Sequence, residues 1–362
     1  MTFIVYILAI IGFISLLFLS VDFFLFFNEW QQRIHIGRWQ DRKSWQQAVE
    51  KKAKSWLRHS PTTQITDQNR LILWDIIRGN YRSNTIQSWQ DAGLLLGLDK
   101  ENAINYLNHH PQLFSSPILE FDQALLAYVL KKQGVLSTDK EEKIRSLFQP
   151  YIQEKGTIPY RKQLPDIRFV DTIGLVCPFL YACGWNDLAI NQIKEYDNLL
   201  LNDIFPPHAF NKKYNTPMGV YDWSRGLGWF ILALIETDIL EGNKERILRL
   251  ADSLIPYQRT DGGFNCMLFN QQERFESSGT ALIGLLFVKA YELSHHAEYL
   301  KAARTVEHSL MKATRRNGAV DHAQGDTKGI GFYSRFFSVM PFAQGMTLYL
   351  SKRIDCYETV SC

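Results

Sequence analysis

One pattern recurs along most of this chain. A polar residue opens an apolar helix rich in small residues, and an amphipathic helix with a charged face follows. The apolar segments begin near residues 92, 123, 172, 227 and 281, with a sixth candidate near Tyr333 and Ser334. Helices that are apolar on most sides have to be buried, whereas helices with a charged face, such as 241–257 and 297–314, have to lie outside. The sequence therefore predicts an all-α fold of alternating inner and outer helices.

Six such helix pairs arranged as a double-layered ring form an (α/α)6 toroid, which we expect to follow one N-terminal transmembrane helix. Few segments show the two-residue alternation of strands, and clusters of Gly, Pro and Asn separate the helical units. If every inner helix enters the ring from the same rim, the residues that open these helices face a common funnel. Those residues are Asp91, Asp122, Asp171, Arg225 and Glu276.

The N-terminal segment from Phe3 to Val21 is apolar except for one glycine and two serines, and Asp22 follows it. About 20 apolar residues are enough to span a bilayer. A secretory signal peptide would have a basic start and a small-residue cleavage site, and neither is present. A buried core helix is the alternative, but the segment lacks a polar face. We therefore expect an uncleaved, single-pass anchor that contacts membrane lipid.

Basic residues follow this anchor, and none precedes it. They are Arg33, Arg38, Arg42 and Lys43. The positive-inside rule then predicts that the large C-terminal part lies in the cytoplasm. The predicted organisation is an anchor over 1–28, a basic juxtamembrane helical linker over 29–64, an (α/α)6 catalytic domain over 65–352 and a C-terminal tail over 353–362.

Composition argues against several other classes of protein. The net charge is only +3 and the basic residues are scattered, so we predict no nucleic-acid partner. The five cysteines are odd in number and show neither a disulfide framework nor metal-binding spacing, and no metal or cofactor is predicted. The segment from Gly325 to Gly331 superficially resembles a phosphate loop, but it lacks the Gly-Lys-Ser/Thr ending and the preceding strand.

The stretch 221–230 has an unusual composition for a core helix, because it combines Trp223, Arg225 and Trp229 with two glycines. Indole faces pack against pyranose rings, and a guanidinium pairs bidentately with a carboxylate, so this set suits an acidic oligosaccharide. The alternative is that Arg225 pairs with a structural carboxylate while the tryptophans fill the core. The sequence leaves both open.

Asp171 opens a segment, 171–181, that is otherwise nearly apolar. Partial burial would raise the pKa of this carboxyl and let it hold a proton, as a general acid must. The alternative is an aspartate that caps its own helix, and the two roles are compatible. His208 lies in a predicted loop, from which it could reach the funnel as a binding or proton-relay group, although a surface histidine is the commoner outcome.

Several segments resemble, in order, the motifs of two related glycoside hydrolase families. These are the unsaturated glucuronyl hydrolases of family 88 and the unsaturated rhamnogalacturonyl hydrolases of family 105. The segments are 89–93, 169–175, 223–229, 258–264 and 276–281, and the resemblance covers about residues 65–350. Segment 223–229 is similar to a Trp-Ala-Arg-Gly-x-x-Trp signature, and 169–175 to a Trp-x-Asp-x-x-x-Met segment in which Phe169 and Leu175 replace the family's Trp and Met.

The resemblance implies a six-hairpin toroid that hydrolyses unsaturated uronyl oligosaccharides, whose C4=C5 double bond is left by a polysaccharide lyase. It implies that Asp171 is the catalytic residue, which protonates C4 and helps water to add at C5, after which the hemiketal opens. The same resemblance implies that Arg225 and Trp229 hold the uronate. The full predicted substrate-binding set is Asp122, His208, Trp223, Arg225, Trp229 and Ser278.

Two other functions remain open from the sequence. One is a noncatalytic saccharide-binding or accessory protein in membrane-linked surface-polysaccharide assembly. The other is a lyase or ordinary glycosidase on the same toroid, which would need a second carboxylate such as Asp122 or Glu276 opposite Asp171.

Overall fold

A computed structural model describes residues 2–61, 63–64, 70–79, 81–82, 87–115, 120–154, 156–238, 240 and 242–357. Its helices are α1 Thr2–Arg33, α2 Arg42–Arg58, α3 Ile72–Ile77, α4 Ser88–Gly97, α5 Lys100–His109, α6 Gln123–Lys132, α7 Thr138–Ser146, α8 Gln149–Glu154, α9 Val170–Ala182, α10 Asn186–Lys194, α11 Ser224–Glu236, α12 Asn243–Leu254, α13 Ser277–Ser294, α14 Ala297–Lys312 and α15 Pro341–Asp355. The predicted domain start at residue 65 and the last residues of the predicted tail, 358–362, lie outside the described residues.

Short strands join the helices on one side of the molecule. They are β1 Thr63–Gln64, β2 Tyr81–Arg82, β3 Ile167–Phe169, β4 Ala209–Asn211, β5 Thr216–Met218, β6 Ala323–Gln324 and β7 Phe337–Ser338. All pairings are antiparallel, and β4 lies between β3 and β5. The strands thus decorate a helical fold.

Six helices form a closed inner ring in which each packs against the next. They follow the order α4, α6, α9, α11, α13 and α15, and α15 returns to α4. These helices are buried along most of their length, and in α11 every residue from Ser224 to Ile235 is buried. The predicted toroid is confirmed, because alternate apolar helices occupy the inside as their composition requires.

Small residues mark the points where inner helices approach most closely. A side chain at Gly345 of α15 would place its Cβ 2.0 Å from the backbone oxygen of Gly93 in α4. A Cβ at Gly174 of α9 would likewise lie 2.6 Å from the backbone oxygen of Trp229 in α11. The small residues of the apolar segments therefore let neighbouring backbones touch.

The sixth outer helix comes from the segment predicted as a linker. Helix α2 buries Trp45, Val49, Ala53 and Trp56 along one face and packs against α15, α4 and α5. The prediction of a separate linker over 29–64 is therefore corrected: this segment is helical, but α2 belongs to the ring. Sequence patterning did not place α2 in the outer layer, because this helix is rich in charge on its other face.

The last inner helix starts later than the sequence suggested. Helix α15 begins at Pro341 and not near Tyr333, because residues 323–338 contain the antiparallel pair β6 and β7. Proline suits the first position of a helix, since its missing N–H would be unpaired there anyway.

The two ends of the toroid differ in the length of their connections. Connections that lead from an outer helix to the next inner helix are long, and they lie at the N-terminal ends of the inner helices. They span residues 59–87, 110–122, 147–169, 195–223, 255–276 and 313–340. This end is termed the site rim, and the opposite end, with connections of two to six residues, is termed the short-loop rim.

Helix α1 lies outside the ring and has no buried residue. It is long and apolar enough to cross a membrane, by length and composition. Two of the four cations used to orient the predicted anchor form ion pairs with toroid residues. Arg33 pairs with Asp321, and Arg42 pairs with Glu307. The cytoplasmic placement therefore stays a prediction that rests mainly on Arg38 and Lys43.

Candidate active site

Asp171 lies in the first turn of α9 and faces the site rim. The N-cap of α9 is Phe169, and no side chain caps the helix, so Asp171 does not serve as its own helix cap. Its side chain is 20% exposed, although the helix that carries it is otherwise almost entirely buried. The carboxylate is therefore accessible at the mouth of the ring.

His208 is a buried neighbour of Asp171. Strands β3 and β4 pair with Phe169 opposite Ala209, and the Val170 N–H donates to the carbonyl of His208 at 2.9 Å. This register brings His208 Nε2 to 3.4 Å from Asp171 Oδ2. His208 is only 2% exposed, so the alternative of a surface histidine is not what the structure contains.

Tyr333 determines which nitrogen of His208 carries the proton. Its hydroxyl accepts from the Val220 N–H at 3.3 Å and lies 3.0 Å from His208 Nδ1. Burial raises the pKa of Tyr333 to about 12, with smaller contributions from the nearby acids, so the phenol keeps its proton and donates to Nδ1. With the phenol as donor, Nδ1 accepts and a hydrogen is left on Nε2, which lies 3.4 Å from Asp171 Oδ2 and has no hydrogen-bond partner among the described residues.

Aromatic rings enclose the imidazole. The ring centroids of Phe169, Trp223 and Tyr333 lie 5.6, 4.7 and 5.4 Å from that of His208. Gly219 approaches from the remaining side with a φ of +78°, and a Cβ there would lie 2.9 Å from His208 Cβ. Only glycine combines this backbone conformation with this contact.

Asp122 brings a second carboxyl to the same region, at the start of α6. Burial, helped by the charge of Glu120, raises the pKa of Asp122 to about 6. Its Oδ1 is buried without a hydrogen-bond partner among the described residues. The pKa of Tyr160 is raised by burial and then by the charges of Asp171 and Asp122, so both acids lie within electrostatic reach of one phenol.

Asp91 does not join these groups. It lies in the first turn of α4, but its carboxylate accepts a hydrogen bond of 2.8 Å from Tyr106 on the outer helix α5. Burial raises the pKa of Asp91 to about 6. The predicted convergence is therefore corrected for this residue, which links the two helix layers.

Arg225 is buried and holds the loop that contains β6. Its guanidinium donates to the carbonyls of Gln324 and Gly325, the latter at 2.7 Å, and it is 2% exposed. Among the residues that the structure describes, it pairs with no carboxylate, in contrast to the structural alternative considered for it. A substrate carboxylate would have to displace these carbonyls to reach both terminal nitrogens.

The two tryptophans of the same stretch are also internal. Trp229 is 3% exposed and packs against Trp89 and Phe342, with centroids 5.5 and 4.7 Å away. Trp223 is 2% exposed, and its Nε1 donates to Gln324 Oε1 at 2.9 Å. Both fill the core in this structure, as the structural alternative predicts.

Glu276 and Ser278 form the buried start of α13. The Glu276 carboxylate accepts from the backbone N–H groups of Ser278, Gly279 and Gln324 and from the Ser278 hydroxyl, at 2.6 to 3.1 Å. Neither residue has any exposed surface. Glu276 is therefore a helix cap, and the buried Ser278 hydroxyl donates to it.

The candidate residues thus fall into two groups. The acid–histidine cluster comprises Asp171, His208, Asp122, Tyr160 and Tyr333. The buried platform comprises Trp223, Arg225, Trp229, Glu276 and Ser278. Sequence reasoning missed Tyr160 and Tyr333, and also Tyr196, whose buried hydroxyl lacks a partner and whose pKa is raised strongly by burial and then by Asp171. A lone tyrosine in a connection gives no sequence signal of its own.

Comparison with known proteins finds a family model that matches the C-terminal part of the chain. Residues 208–356 match the model of Glycosyl Hydrolase Family 88. The predicted resemblance is confirmed. The match also confirms the prediction of a glycoside hydrolase, and it covers the whole buried platform together with His208 and Tyr333. No protein of curated function has a matching sequence.

Solved structures of the same fold come from the two families named by the resemblance. An unsaturated glucuronyl hydrolase specific for heparin superposes with a TM-score of 0.66 at 14% identity, covering 87% of this chain and 98% of its own. The unsaturated glucuronyl hydrolase of Bacillus sp. GL1, responsible for glycosaminoglycan degradation, gives 0.62 at 14% identity, with 86% and 97% covered. A possible family 105 member from Klebsiella pneumoniae gives 0.62 at 15% identity, with 88% and 95% covered. At these identities the likeness establishes the toroidal fold.

Proposed function

We propose that this glycoside hydrolase removes unsaturated uronyl residues from oligosaccharides, with Asp171 as the proton donor to C4 of the double bond. The observation that carries the proposal is the exposed Asp171 carboxyl backed at 3.4 Å by the buried His208. A general acid has to reach the substrate and also needs a partner that stabilises its anion after transfer. Nε2–H of His208 is placed for that second role.

Hydration of the double bond also requires a water molecule near C5. Asp122 is suited to orient it, because its pKa of about 6 leaves part of the population protonated near neutral pH and its Oδ1 has no protein partner. Glu276 is unsuited to a second catalytic role, since its oxygens are occupied within the cap of α13. The geometry therefore favours double-bond hydration over a lyase or glycosidase mechanism based on Glu276.

The substrate carboxylate needs a cation, and Arg161 is better placed to supply it than Arg225. Arg161 is exposed, and its guanidinium lies 5.5 Å from the Tyr160 ring centroid. Tyr160 in turn packs 5.1 Å from Phe169, which contacts His208. Arg161 thus joins the acid–histidine cluster from the solvent side, where a uronate can reach it without moving the loop.

The function is tested by offering the full chain in detergent a panel of unsaturated uronyl disaccharides. Loss of the ultraviolet absorbance of the double bond is the expected result. Activity that remains in Asp171→Asn measures contaminating enzymes. Asp187→Asn is the matched control, because Asp187 is an exposed aspartate in the first turn of the outer helix α10. An unchanged absorbance across the panel would refute the proposal, and saccharide binding without turnover would establish the noncatalytic alternative.

The role of Arg161 is tested in the same assay. Arg161→Gln should raise KM while leaving kcat nearly unchanged, because it removes a contact made equally by substrate and transition state. Lys162→Gln changes a neighbouring exposed cation and is the matched control. An unaltered KM for Arg161→Gln would remove this residue from the binding site.

A further inference from the structure

The end of α1 is built into the toroid through a buried ionic cluster. Arg33 donates to both carboxylate oxygens of Asp321, at 2.7 and 2.8 Å. Arg315 donates to Asp321 at 2.7 Å and to Glu29 of α1 at 2.6 Å. Burial would raise the pKa of Asp321, but hydrogen bonds and charges from the two arginines hold it well below its usual range. Removal of α1 would leave Arg315 and Asp321 short of partners, so α1 is an integral part of the fold.

A second attachment of α1 to the toroid lies nearer to the N-terminus of this helix. Both carboxylate oxygens of Asp22 accept backbone N–H groups at the start of α3, from Leu71 at 2.7 Å and from Ile72 at 2.8 Å. Asp22 and Arg33 are about 16 Å apart along the helix axis. Their partners lie in the connections 59–87 and 313–340, which both belong to the site rim. Helix α1 therefore leaves the toroid from the rim that carries Asp171.

Helix α3 presents an unusual surface beside this attachment. Leu71, Trp74 and Ile77 are 55, 50 and 63% exposed. Arg70 and Arg78, both exposed, stand at its two ends. Apolar side chains that include tryptophan, flanked by cations, fit the boundary between acyl chains and anionic headgroups.

Other exposed apolar residues favour the same end of the molecule. Outside α1 and α3, the large exposed apolar residues in the long connections are Leu164, Leu201, Tyr214, Tyr257, Phe269 and Phe332. In the part of the chain that the structure describes, the connections of the short-loop rim contain no large exposed apolar residue. Phe332, at 72%, is the most exposed of the six and lies next to Tyr333 of the acid–histidine cluster. The two rims therefore differ in affinity for an apolar phase.

We propose that the site rim faces a phospholipid bilayer, with α3 lying in its interface and α1 crossing it. The length of α1 agrees, because 20 residues precede Asp22 and about 20 are needed to span the hydrocarbon core. Asp22 and α3 then lie at the same depth, just outside the core. This orientation places the funnel opening next to the membrane, and it does not depend on the proposed hydrolysis.

The proposal is tested with an environment-sensitive fluorophore on single cysteines in the full chain. Cys183→Ser, Cys356→Ser and Cys362→Ser remove three thiols, and the remaining Cys177 and Cys266 are buried. Labels are placed at Leu8→Cys in α1, Ile77→Cys in α3, Phe332→Cys on the site rim and His296→Cys on the short-loop rim. The protein is reconstituted in vesicles of phosphatidylcholine and phosphatidylglycerol with or without doxyl-labelled lipid.

Doxyl lipid should quench most of the fluorescence at positions 8 and 77, part of it at 332 and none at 296. Unquenched fluorescence at position 8 would overturn the proposal, because α1 would not be inserted. Quenching at 8 with equal, weak quenching at 77 and 296 would also overturn it, because the toroid would then hang from α1 without a preferred face. Trp74→Cys replaces Ile77→Cys if that variant does not fold.

Discussion

The acid–histidine cluster and the buried platform come from segments that look equally functional in the sequence, yet the structure separates them. Asp171 is one-fifth exposed, whereas Arg225 is 2% exposed and Glu276 is fully buried. In the buried platform, Trp223, Arg225 and Glu276 form hydrogen bonds with Gln324 and so hold the loop around it. Motifs that resemble those of one enzyme family therefore contain both a solvent-accessible carboxylate and buried polar groups that hold neighbouring loops.

The difference follows from where each residue sits relative to its helix. Arg225 and Ser278 lie on helices that are buried on all sides, so their polar atoms must find protein partners. Asp171 sits one residue into α9, where the ring opens. A variant that affects turnover without affecting folding should therefore map to the first group, and one that affects folding should map to the second.

The largest expected effect is on turnover, in Asp171→Asn. Loss of the proton donor should lower kcat about 100- to 10,000-fold. The melting temperature should stay close to that of the parent, because the exposed carboxylate makes no hydrogen bond on which α9 depends. Steady-state rates and a thermal melt check both statements, and a large fall in melting temperature would place Asp171 with the platform.

Arg225→Met should mainly affect stability. Two buried carbonyls lose their donor, which costs about 3 kcal/mol in the free energy of unfolding. Arg249→Met is the matched control, since Arg249 donates to a loop carbonyl from an exposed position. Denaturant unfolding measures the difference. If Arg225→Met instead keeps its stability and raises KM, Arg225 clamps the substrate as the resemblance implies.

A smaller effect, dependent on pH, is expected for Asp122→Asn. The native pKa of Asp122 is raised from its ordinary 3.8 to about 6, so the native state retains a proton that the unfolded state has lost. Asp122 therefore lowers stability progressively as pH rises from about 4 to 6, and by a constant amount above that. The variant should equal the parent in stability below pH 4 and exceed it at pH 7. Equal stabilities at both pH values would contradict the buried, unpaired placement.

The smallest effect is expected for Tyr333→Phe, which removes the donor to His208 Nδ1. Loss of one hydrogen bond worth about 1 kcal/mol corresponds to a decrease in kcat of about fivefold. Tyr299→Phe removes a comparable phenol donor, to Asp252 between outer helices, and should leave kcat unchanged. A Tyr333→Phe enzyme with parental kcat would show that the imidazole needs no fixed tautomer.

The sequence predicted the ring because segments that are apolar on most sides, which became α9, α11 and α13, alternate with amphipathic segments. It did not predict α2 as a ring member. A charged helix that follows an apolar anchor resembles a linker, and its packing against the distant α15 is not visible in the local sequence. At the candidate site, local context singled out Asp171 and His208, and the structure brings them to 3.4 Å from each other. The inward direction of Trp229 and Ser278 depends on packing between helices, which a linear pattern does not encode.

The pairing of α2 with α15 also constrains biosynthesis. These helices close the ring, yet nearly the whole domain separates them along the chain. Contacts between distant residues form late, because a long loop has to be ordered first. On the ribosome, α4 and α5 can cover part of the apolar face of α2 early, but the part that packs against α15 stays uncovered until residue 355 has been translated and has left the exit tunnel. Chaperones that shield nascent apolar surfaces therefore have a defined target in this protein, and a stop codon upstream of α15 would leave that target permanently open.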